Sequence, residues 1–254
     1  MNENPLPPAS PPRAVRVPLP VSVPYATYVI IGVTALFYVL QLVSVAVFGS
    51  VVQGVDYLEL YGARINELIR AGQIWRFFTP ALLHASPPHL LFNMYALFSF
   101  GSNLERHFGH GRFVLLYILG AFAGNVFSFL LMGDDSFSVG ASTAVFGLIG
   151  AEGIFLYQNR KLFGAQVKSA INNVIFVLIM NMFIGLRPGI DLWGHIGGLF
   201  GGLIFTWFGG PSWKVEGIFP SFSLVDERTA QDMLIAVMAV VLPFVGLAVW
   251  GMMK

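Results

Sequence analysis

Seven apolar stretches, each close to the length of a membrane-spanning helix, constrain the fold of this chain more than any other feature. A helix needs about 20 consecutive apolar residues to cross the hydrocarbon core of a bilayer. The second and fifth stretches are weaker candidates for membrane spans, because they contain histidine or asparagine. The pattern predicts an all-α, multi-pass membrane protein. The seven stretches cover residues 26–49, 88–105, 112–132, 142–158, 168–185, 191–209 and 231–252.

The composition agrees with this fold class. Of the 254 residues, 56% are hydrophobic and only 11% are charged, whereas a soluble domain carries about 25% charged residues. The net charge is +1 and no basic patch with interleaved aromatic residues is present, so we expect no nucleic-acid partner. Cysteine is absent, which excludes disulfides and thiolate metal sites.

The segments outside the apolar stretches divide the chain further. Residues 1–24 contain eight prolines, which predict an extended, disordered tail in the cytoplasm because proline breaks helices. Residues 50–87 are too polar to span, and we expect short helices lying in the membrane interface there. Residues 211–230 are predicted to be a loop, and residues 231–254 a seventh transmembrane helix.

Positive charges predict the orientation of the helices. With the N-terminus in the cytoplasm, nine Lys and Arg residues lie inside and five outside, which favours an inner N-terminus and an outer C-terminus. The second, fourth and sixth helices then run from outside to inside. His89, Asn93, Ser142 and His195 lie near their starts, at a similar depth. Polar groups within the bilayer are costly and usually functional.

Ser142 and His195 are the first candidate site. A lone serine in a membrane helix more often bonds a backbone carbonyl, and a lone histidine is more often structural. Glycines at short spacing, however, predict close approach of the fourth and sixth helices. That approach would let the imidazole act as general base for the hydroxyl. The glycines are Gly140, Gly147, Gly150 and Gly153 on one side, and Gly194, Gly197, Gly198, Gly201 and Gly202 on the other.

Attack of a serine on an amide also creates an oxyanion, which needs hydrogen-bond donors. His89, the side-chain amide of Asn93 and the backbone N–H of Ser142 are candidates. His89 and Asn93 are four residues apart and share one helix face. The alternative is that both side chains bond each other or the backbone, and only hold the second helix in place.

A metal site is the less favoured interpretation. His84, His89 and His195 could form a three-histidine zinc site, but Pro87 and Pro88 separate the first two and no His-Glu-x-x-His sequence occurs. Asp191 lies one turn before His195, and we place it at the outer interface. We therefore expect no metal and no cofactor. Glu152, inside the fourth helix, has no assigned role.

The order of these motifs resembles the rhomboid family of intramembrane serine proteases, over residues 25–210. The resemblance implies a bacterial-type core of six transmembrane helices, with one extra C-terminal helix. It implies a Ser142–His195 dyad without an aspartate and an oxyanion hole of His89, Asn93 and the Ser142 amide. The matching residues are Trp75, Arg76, His84, His89, Asn93, Gly101 to Glu105, Gly140 to Ser142, and Gly194 to Gly198.

The resemblance assigns supporting roles as well. Trp75 and Arg76 match a structural pair in the loop after the first helix, and Glu105 matches a position that stabilises the core from the cytoplasmic end of the second helix. Thr143 departs from the family, which most often has glycine after the serine, and a β-branched residue there narrows the backbone options. Phe146 replaces a tyrosine found in some members, which keeps an aromatic face for the histidine.

The expected function is cleavage of transmembrane-segment protein substrates near the outer face of the bilayer, through an acyl-enzyme. The expected location is the bacterial cytoplasmic membrane, with an organelle membrane as the alternative, and the sequence indicates no oligomeric state. Two alternatives stay open. One is a catalytically inactive relative that binds transmembrane helices, in whose favour Thr143 is the single feature. The other is a transporter, which the lack of an inverted repeat disfavours.

Overall fold

The structure is a computed structural model that describes residues 19, 21–50, 55–218 and 221–254. Most of the predicted proline-rich tail, residues 1–24, therefore lies outside the described residues. The helices are α1 (Tyr25–Phe48), α2 (Tyr57–Gly62), α3 (Asn66–Arg70), α4 (Pro87–Ala96), α5 (Ser102–Phe108), α6 (His110–Leu131), α7 (Ser142–Gln158), α8 (Arg160–Phe163), α9 (Gln166–Gly185), α10 (Leu192–Gly209) and α11 (Ala230–Met252). The strands are β1 (Arg64–Ile65), β2 (Phe137–Ser138), β3 (Trp213–Ile218) and β4 (Ser221–Asp226).

Each of the seven predicted spans corresponds to a helical segment, which confirms the predicted fold class. Helices α1, α6, α9 and α11 are each long and apolar enough to cross a membrane. The second span is α4 continued through a π-helical turn, Leu97–Gly101, into α5. Helices α7 and α10, of 17 and 18 residues, bury their glycine-rich faces against neighbouring helices. Thr143, Glu152 and His195 are buried there, away from lipid, where an unsatisfied polar group would be costly.

Helices α6, α7 and α10 form the inner group, and glycine brings their backbones together. A Cβ added to Gly147 on α7 would lie 3.1 Å from the carbonyl oxygen of Gly198 on α10 and 3.2 Å from the Cα of Gly120 on α6. On Gly202 of α10, an added Cβ would overlap the carbonyl oxygen of Gly147. The predicted approach of the fourth and sixth helices is confirmed, and α6 joins them with glycines of its own.

Glu105 fastens α1 to the second span. Its buried carboxylate accepts hydrogen bonds from the backbone N–H of Ala26 at 2.8 Å and of Thr27 at 2.7 Å, and from the Thr27 hydroxyl at 2.6 Å. The first N–H groups of a helix have no partner within the helix, and a negative charge there is favourable. The Glu105 side chain thus caps α1 from a neighbouring helix, as α1 has no side-chain cap at Pro24.

The connection between α1 and α4 is folded and holds a buried arginine. Arg76 is 1% exposed, and its Nη atoms donate to the carbonyl oxygens of Ala63 and Leu60 at 2.6 and 2.7 Å. The indole N–H of Trp75 donates to the Tyr61 carbonyl at 3.1 Å. Both side chains donate hydrogen bonds to backbone carbonyl oxygens of the same connection, so their contacts are structural. Strand β1 of this connection pairs antiparallel with β2, beside the start of α7.

The segment between α10 and α11 differs from the predicted loop over residues 211–230. Strands β3 and β4 pair as an antiparallel hairpin. An isolated two-stranded hairpin is marginal in water, and this one is anchored by Asp226, which forms an ion pair with Arg112 and accepts from the Ser212 N–H at 3.0 Å. The sequence prediction missed the hairpin because its stability depends on this contact with the start of α6.

Candidate active site

Ser142 and His195 meet where the inner helices begin. Ser142 is the first residue of α7, and His195 lies in the first turn of α10. The serine Oγ and the histidine Nε2 are 3.0 Å apart, within hydrogen-bonding distance. The glycines at the contact of α7 with α10 make this approach possible, because a side chain larger than hydrogen at these positions would push the two helices apart. An imidazole at this distance can accept the hydroxyl proton.

Phe146 holds the imidazole in place. Its ring stacks on His195 with a centroid distance of 4.1 Å and an angle of 11° between the planes. Phe146 lies one turn after Ser142 on α7, so one helix presents both the hydroxyl and the aromatic face. The Nδ1 atom of His195 is buried and has no hydrogen-bond partner among the described residues. The pair therefore has no direct carboxylate partner there.

Asp191 is nevertheless closely connected to this histidine. Its carboxylate caps α10 by accepting from the Gly194 N–H at 2.8 Å, and it also accepts from the buried Ser128 hydroxyl of α6. The backbone N–H of His195 donates to the Asp191 carbonyl at 3.1 Å. Asp191 is thus half-buried and structural, whereas we expected an interfacial acid. Asp before a glycine-rich helix is an N-cap signal that the sequence offered.

Arg64 is a buried cation on which the charge of Asp191 acts. Arg64 is 0% exposed, and it donates to the side chains of Asn66 and Ser136. Burial lowers the pKa of its guanidinium, and the charge of Asp191 acts in the opposite direction. The charge of Asp191 thus favours the charged form of this buried arginine.

The loop before Ser142 requires a glycine. Gly140 has φ +128°, and a Cβ there would fall 2.7 Å from the Cε1 and 2.8 Å from the Nε2 of His89. The N–H of Gly140 donates to the Pro80 carbonyl at 2.9 Å, and the N–H of Ala141 points at His84 Nε2 at 3.4 Å. Gly140 thus lets the His89 ring lie against the loop, and the His84 contact positions the backbone just before the serine.

His89 and Asn93 lie together on α4, near this loop. The Asn93 amide donates to the His89 carbonyl at 2.9 Å, and the N–H of His89 donates to the Ser86 hydroxyl at 3.3 Å. The backbone contact named above as an alternative is therefore present for Asn93. A side-chain amide has two N–H groups, so one remains for another acceptor.

The side chain of Thr143 lies in the contact between α7 and its two neighbouring helices. Its methyl group packs between α6 and α10, where a Cβ on Gly124 would lie 2.8 Å and one on Gly194 3.0 Å from it. Glycines on both neighbouring helices thus make room for the β-branched side chain. A threonine therefore fits between the helices at this position, where the family most often has glycine.

The other sequence candidates lie away from the pair. Trp75 and Arg76 hold the connection between α1 and α4, and Glu105 holds the start of α1, as described above. Glu152, which had no assigned role, accepts from the Asn103 amide at 2.7 Å and links α7 to α5. Within the described part of the chain, no three His, Cys, Asp or Glu residues are grouped as metal ligands.

Part of the chain is similar to known proteins. Residues 71–212 match the family described as Rhomboid domain. Rhomboid protease GluP of Bacillus subtilis (strain 168) is 40% identical over 148 residues, which are 58% of this chain and 28% of that protein. RHOMBOID-like protein 9, chloroplastic, of Arabidopsis thaliana is 35% identical over 150 residues, 59% of this chain and 34% of that protein. Rhomboid-like protease 1 of Toxoplasma gondii is 32% identical over 178 residues, 68% of this chain and 61% of that protein. The match thus spans less than two thirds of each of these relatives.

Proposed function

Because the chain belongs to the rhomboid family of intramembrane proteases, we propose that it is an active serine endopeptidase with Ser142 as nucleophile and His195 as general base. The observation that carries this proposal is the 3.0 Å distance between the serine Oγ and the histidine Nε2. The stacked Phe146 ring supports it, because a base must be held in one orientation to accept a proton at a fixed place.

The proposed chemistry proceeds in two halves. His195 accepts the hydroxyl proton while the Ser142 oxygen attacks the scissile carbonyl carbon, and then donates this proton to the leaving amine as the C–N bond breaks. The acyl-enzyme that remains is hydrolysed by water, which His195 deprotonates in turn. The second product leaves as a carboxylic acid, and the serine recovers its proton. No residue acts as a third member of a triad in this proposal.

The negative oxygen formed in each half needs donors. Ser142 is the first residue of α7, so its backbone N–H has no acceptor within the helix. The His89 ring lies against Gly140, and Asn93 follows one turn later on α4. These groups are the proposed oxyanion hole. Removing one such donor typically lowers kcat by about 10²–10³-fold.

Substrate is proposed to reach the pair from the lipid. Helix α9 buries only Val174 and Gly185 among its 20 residues, so it is attached less firmly than α7 or α10. A transmembrane helix that enters beside α9 would have to unwind to expose a peptide bond to Ser142. Glycine or proline in the substrate lowers that cost. The connection over residues 185–190 would accommodate movement of α9.

The test is cleavage of a single-span reporter protein reconstituted with the full chain in liposomes. We expect a cut near the end of the span on the side of Ser142, located by mass spectrometry of both products. Ser142→Ala should abolish the cut and leave the unfolding temperature within a few degrees of wild type. Cleavage that persists in this folded variant would rule out Ser142 as nucleophile.

The inactive helix-binding alternative makes a different prediction in the same liposomes. The reporter would bind to wild type and to Ser142→Ala equally, and neither would cut it. The methyl group of Thr143 fits between glycines of α6 and α10, which supports the active protease over this alternative. We propose a bacterial cytoplasmic membrane as the location, with an inner N-terminus and an outer C-terminus. Protease access to tags at the two ends tests that orientation.

A further inference from the structure

A cavity of about 430 Å³ lies at the far end of α7 from Ser142. Helix α7 has 17 residues, so at 1.5 Å per residue the cavity is about 25 Å from the serine. Its volume is within the range of about 300–1,000 Å³ that small-molecule sites occupy. The cavity is therefore separate from the proposed active site and large enough for a ligand of its own.

Hydrogen bonds of one buried side chain join the segments that form the floor of the cavity. Asn159 is 3% exposed, and its amide donates to the carbonyl oxygens of Phe155 and Pro211, each at 2.9 Å. Its side-chain oxygen accepts from the Trp213 N–H at 2.8 Å. One side chain thus joins the end of α7 to the chain that leaves α10 and to the first residue of β3. A cavity held in this way does not have to be organised when a ligand binds.

The walls carry more positive than negative charge. Arg160, Lys161 and Lys214 line the cavity with a single carboxylate, that of Glu227. Arg160 is already engaged, because it donates to the Tyr157 carbonyl at 2.8 Å and lies over the Tyr157 ring. Lys214 is 3.5 Å from Glu227 in an exposed pair, which is worth little. Lys161 and Lys214 are thus the cations available to an anion.

The depth of the cavity matches the head-group layer. Tyr157 and Trp207 stack with ring centroids 6.4 Å apart, at the ends of α7 and α10, and each is 48% exposed. Tyrosine and tryptophan concentrate at the membrane–water interface. Gln158, which lines the cavity, donates to the Trp207 carbonyl at 2.9 Å. The cavity therefore opens immediately beside the residues that mark the interface.

From these observations we propose that the cavity binds a phosphate group, supplied by the head group of an anionic phospholipid, between Lys161 and Lys214. Basic pockets beside membrane helices are suited to anionic head groups. The predicted orientation places this face in the cytoplasm, where the sequence concentrates its positive charge. This inference does not depend on the proposed protease activity, since the two sites are at opposite ends of α7.

Native mass spectrometry of the full chain tests the proposal. The protein is titrated in detergent with phosphatidylglycerol or phosphatidylcholine, and the bound fraction is counted for wild type and variants. We expect tighter binding of phosphatidylglycerol. Each of Lys161→Gln and Lys214→Gln should weaken it about fivefold, and the double variant about 30-fold, at the usual contribution of one lysine near a lipid surface. Lys168→Gln, which changes an exposed lysine outside the cavity, is the matched control and should weaken binding less than either cavity variant.

Competition with inorganic phosphate separates the two sources of the phosphate group. Lipid that stays bound at millimolar phosphate assigns the site to a phospholipid, which is the result we expect. Lipid that is displaced would assign the site to free phosphate and would overturn the assignment to a phospholipid. Equal affinity for the two lipids would overturn the proposal, and so would a loss in Lys168→Gln as large as in the cavity variants.

Discussion

Replacing Gly198 with alanine should separate Ser142 from His195 without altering either residue. Gly198 lies one turn after His195 on α10, and it faces the backbone of Thr143, the residue after the serine. A Cβ on Gly198 would overlap the carbonyl oxygen of Thr143. A backbone carbonyl at the start of α7 cannot move by itself, so the two helices must move apart.

The size of the effect follows from the geometry. Ordinary contact of a Cβ begins at 3.4 Å, and relieving the overlap requires a displacement of about 1 Å or more. Added to the present 3.0 Å between Ser142 Oγ and His195 Nε2, this exceeds the roughly 3.5 Å limit of a hydrogen bond. A misplacement of about 1 Å can cost about 10²-fold in rate. Overpacking of this kind also costs about 1–3 kcal/mol of stability.

The assay is the rate at which a fluorophosphonate probe labels the purified protein, with thermal unfolding measured in parallel. We expect Gly198→Ala to label about 10²-fold more slowly while it still unfolds cooperatively. Gly153→Ala is the control, because its Cβ would make an ordinary contact of 3.6 Å with Val174. A folded Gly198→Ala protein that labels at the wild-type rate would refute the link between glycine packing and the pair.

Three further substitutions test the cap of α10, the stacking on His195 and the burial of Glu59. Asp191→Ala should lower the unfolding temperature by about 2–4 °C, because α10 loses its N-cap. Asp191→Asn retains a cap and should lower the unfolding temperature less in the same scan, and equal losses would contradict the capping role. Phe146→Ala should slow probe labelling about 3–10-fold, from the loss of one stacked pair, whereas Phe146→Tyr should label within about twofold of wild type. Burial raises the pKa of the Glu59 carboxyl, so its ionisation destabilises the fold as the pH rises through that pKa. Glu59→Gln should then raise the unfolding temperature at pH above neutral and not at acidic pH, and a constant difference at all pH values would argue against the burial effect.

The membrane helices could be predicted from sequence because burial in lipid imposes one simple requirement, a long apolar run. The glycines of α7 and α10 were equally informative, since little else explains glycine at short spacing in adjacent membrane helices. They predicted that the two helices meet, and the structure confirms it with Gly147 and Gly198. That Ser142 and His195 also meet followed from the position of each at the start of its helix.

The features that sequence reasoning missed depend on contacts between distant residues. The hairpin of β3 and β4 has no strong turn signal, and it is held by the ion pair of Asp226 with Arg112, 114 residues earlier. Asp191 looked like an interfacial acid because its partner Ser128 lies on another helix. Spacing along the chain shows neither contact. Glu105 was recognised only through family resemblance, although its function as a cap for α1 is a matter of plain hydrogen bonding.

Labelling of the wild-type chain by a fluorophosphonate probe, beside Ser142→Ala and His195→Ala, tests the proposed dyad most directly. We expect one labelled site at Ser142, located by peptide mapping. Labelling should be lost completely in Ser142→Ala and should fall at least about 10³-fold in His195→Ala, since an unassisted serine is a weak nucleophile. Unchanged labelling of His195→Ala, or a folded wild-type protein that does not react, would rule out the dyad.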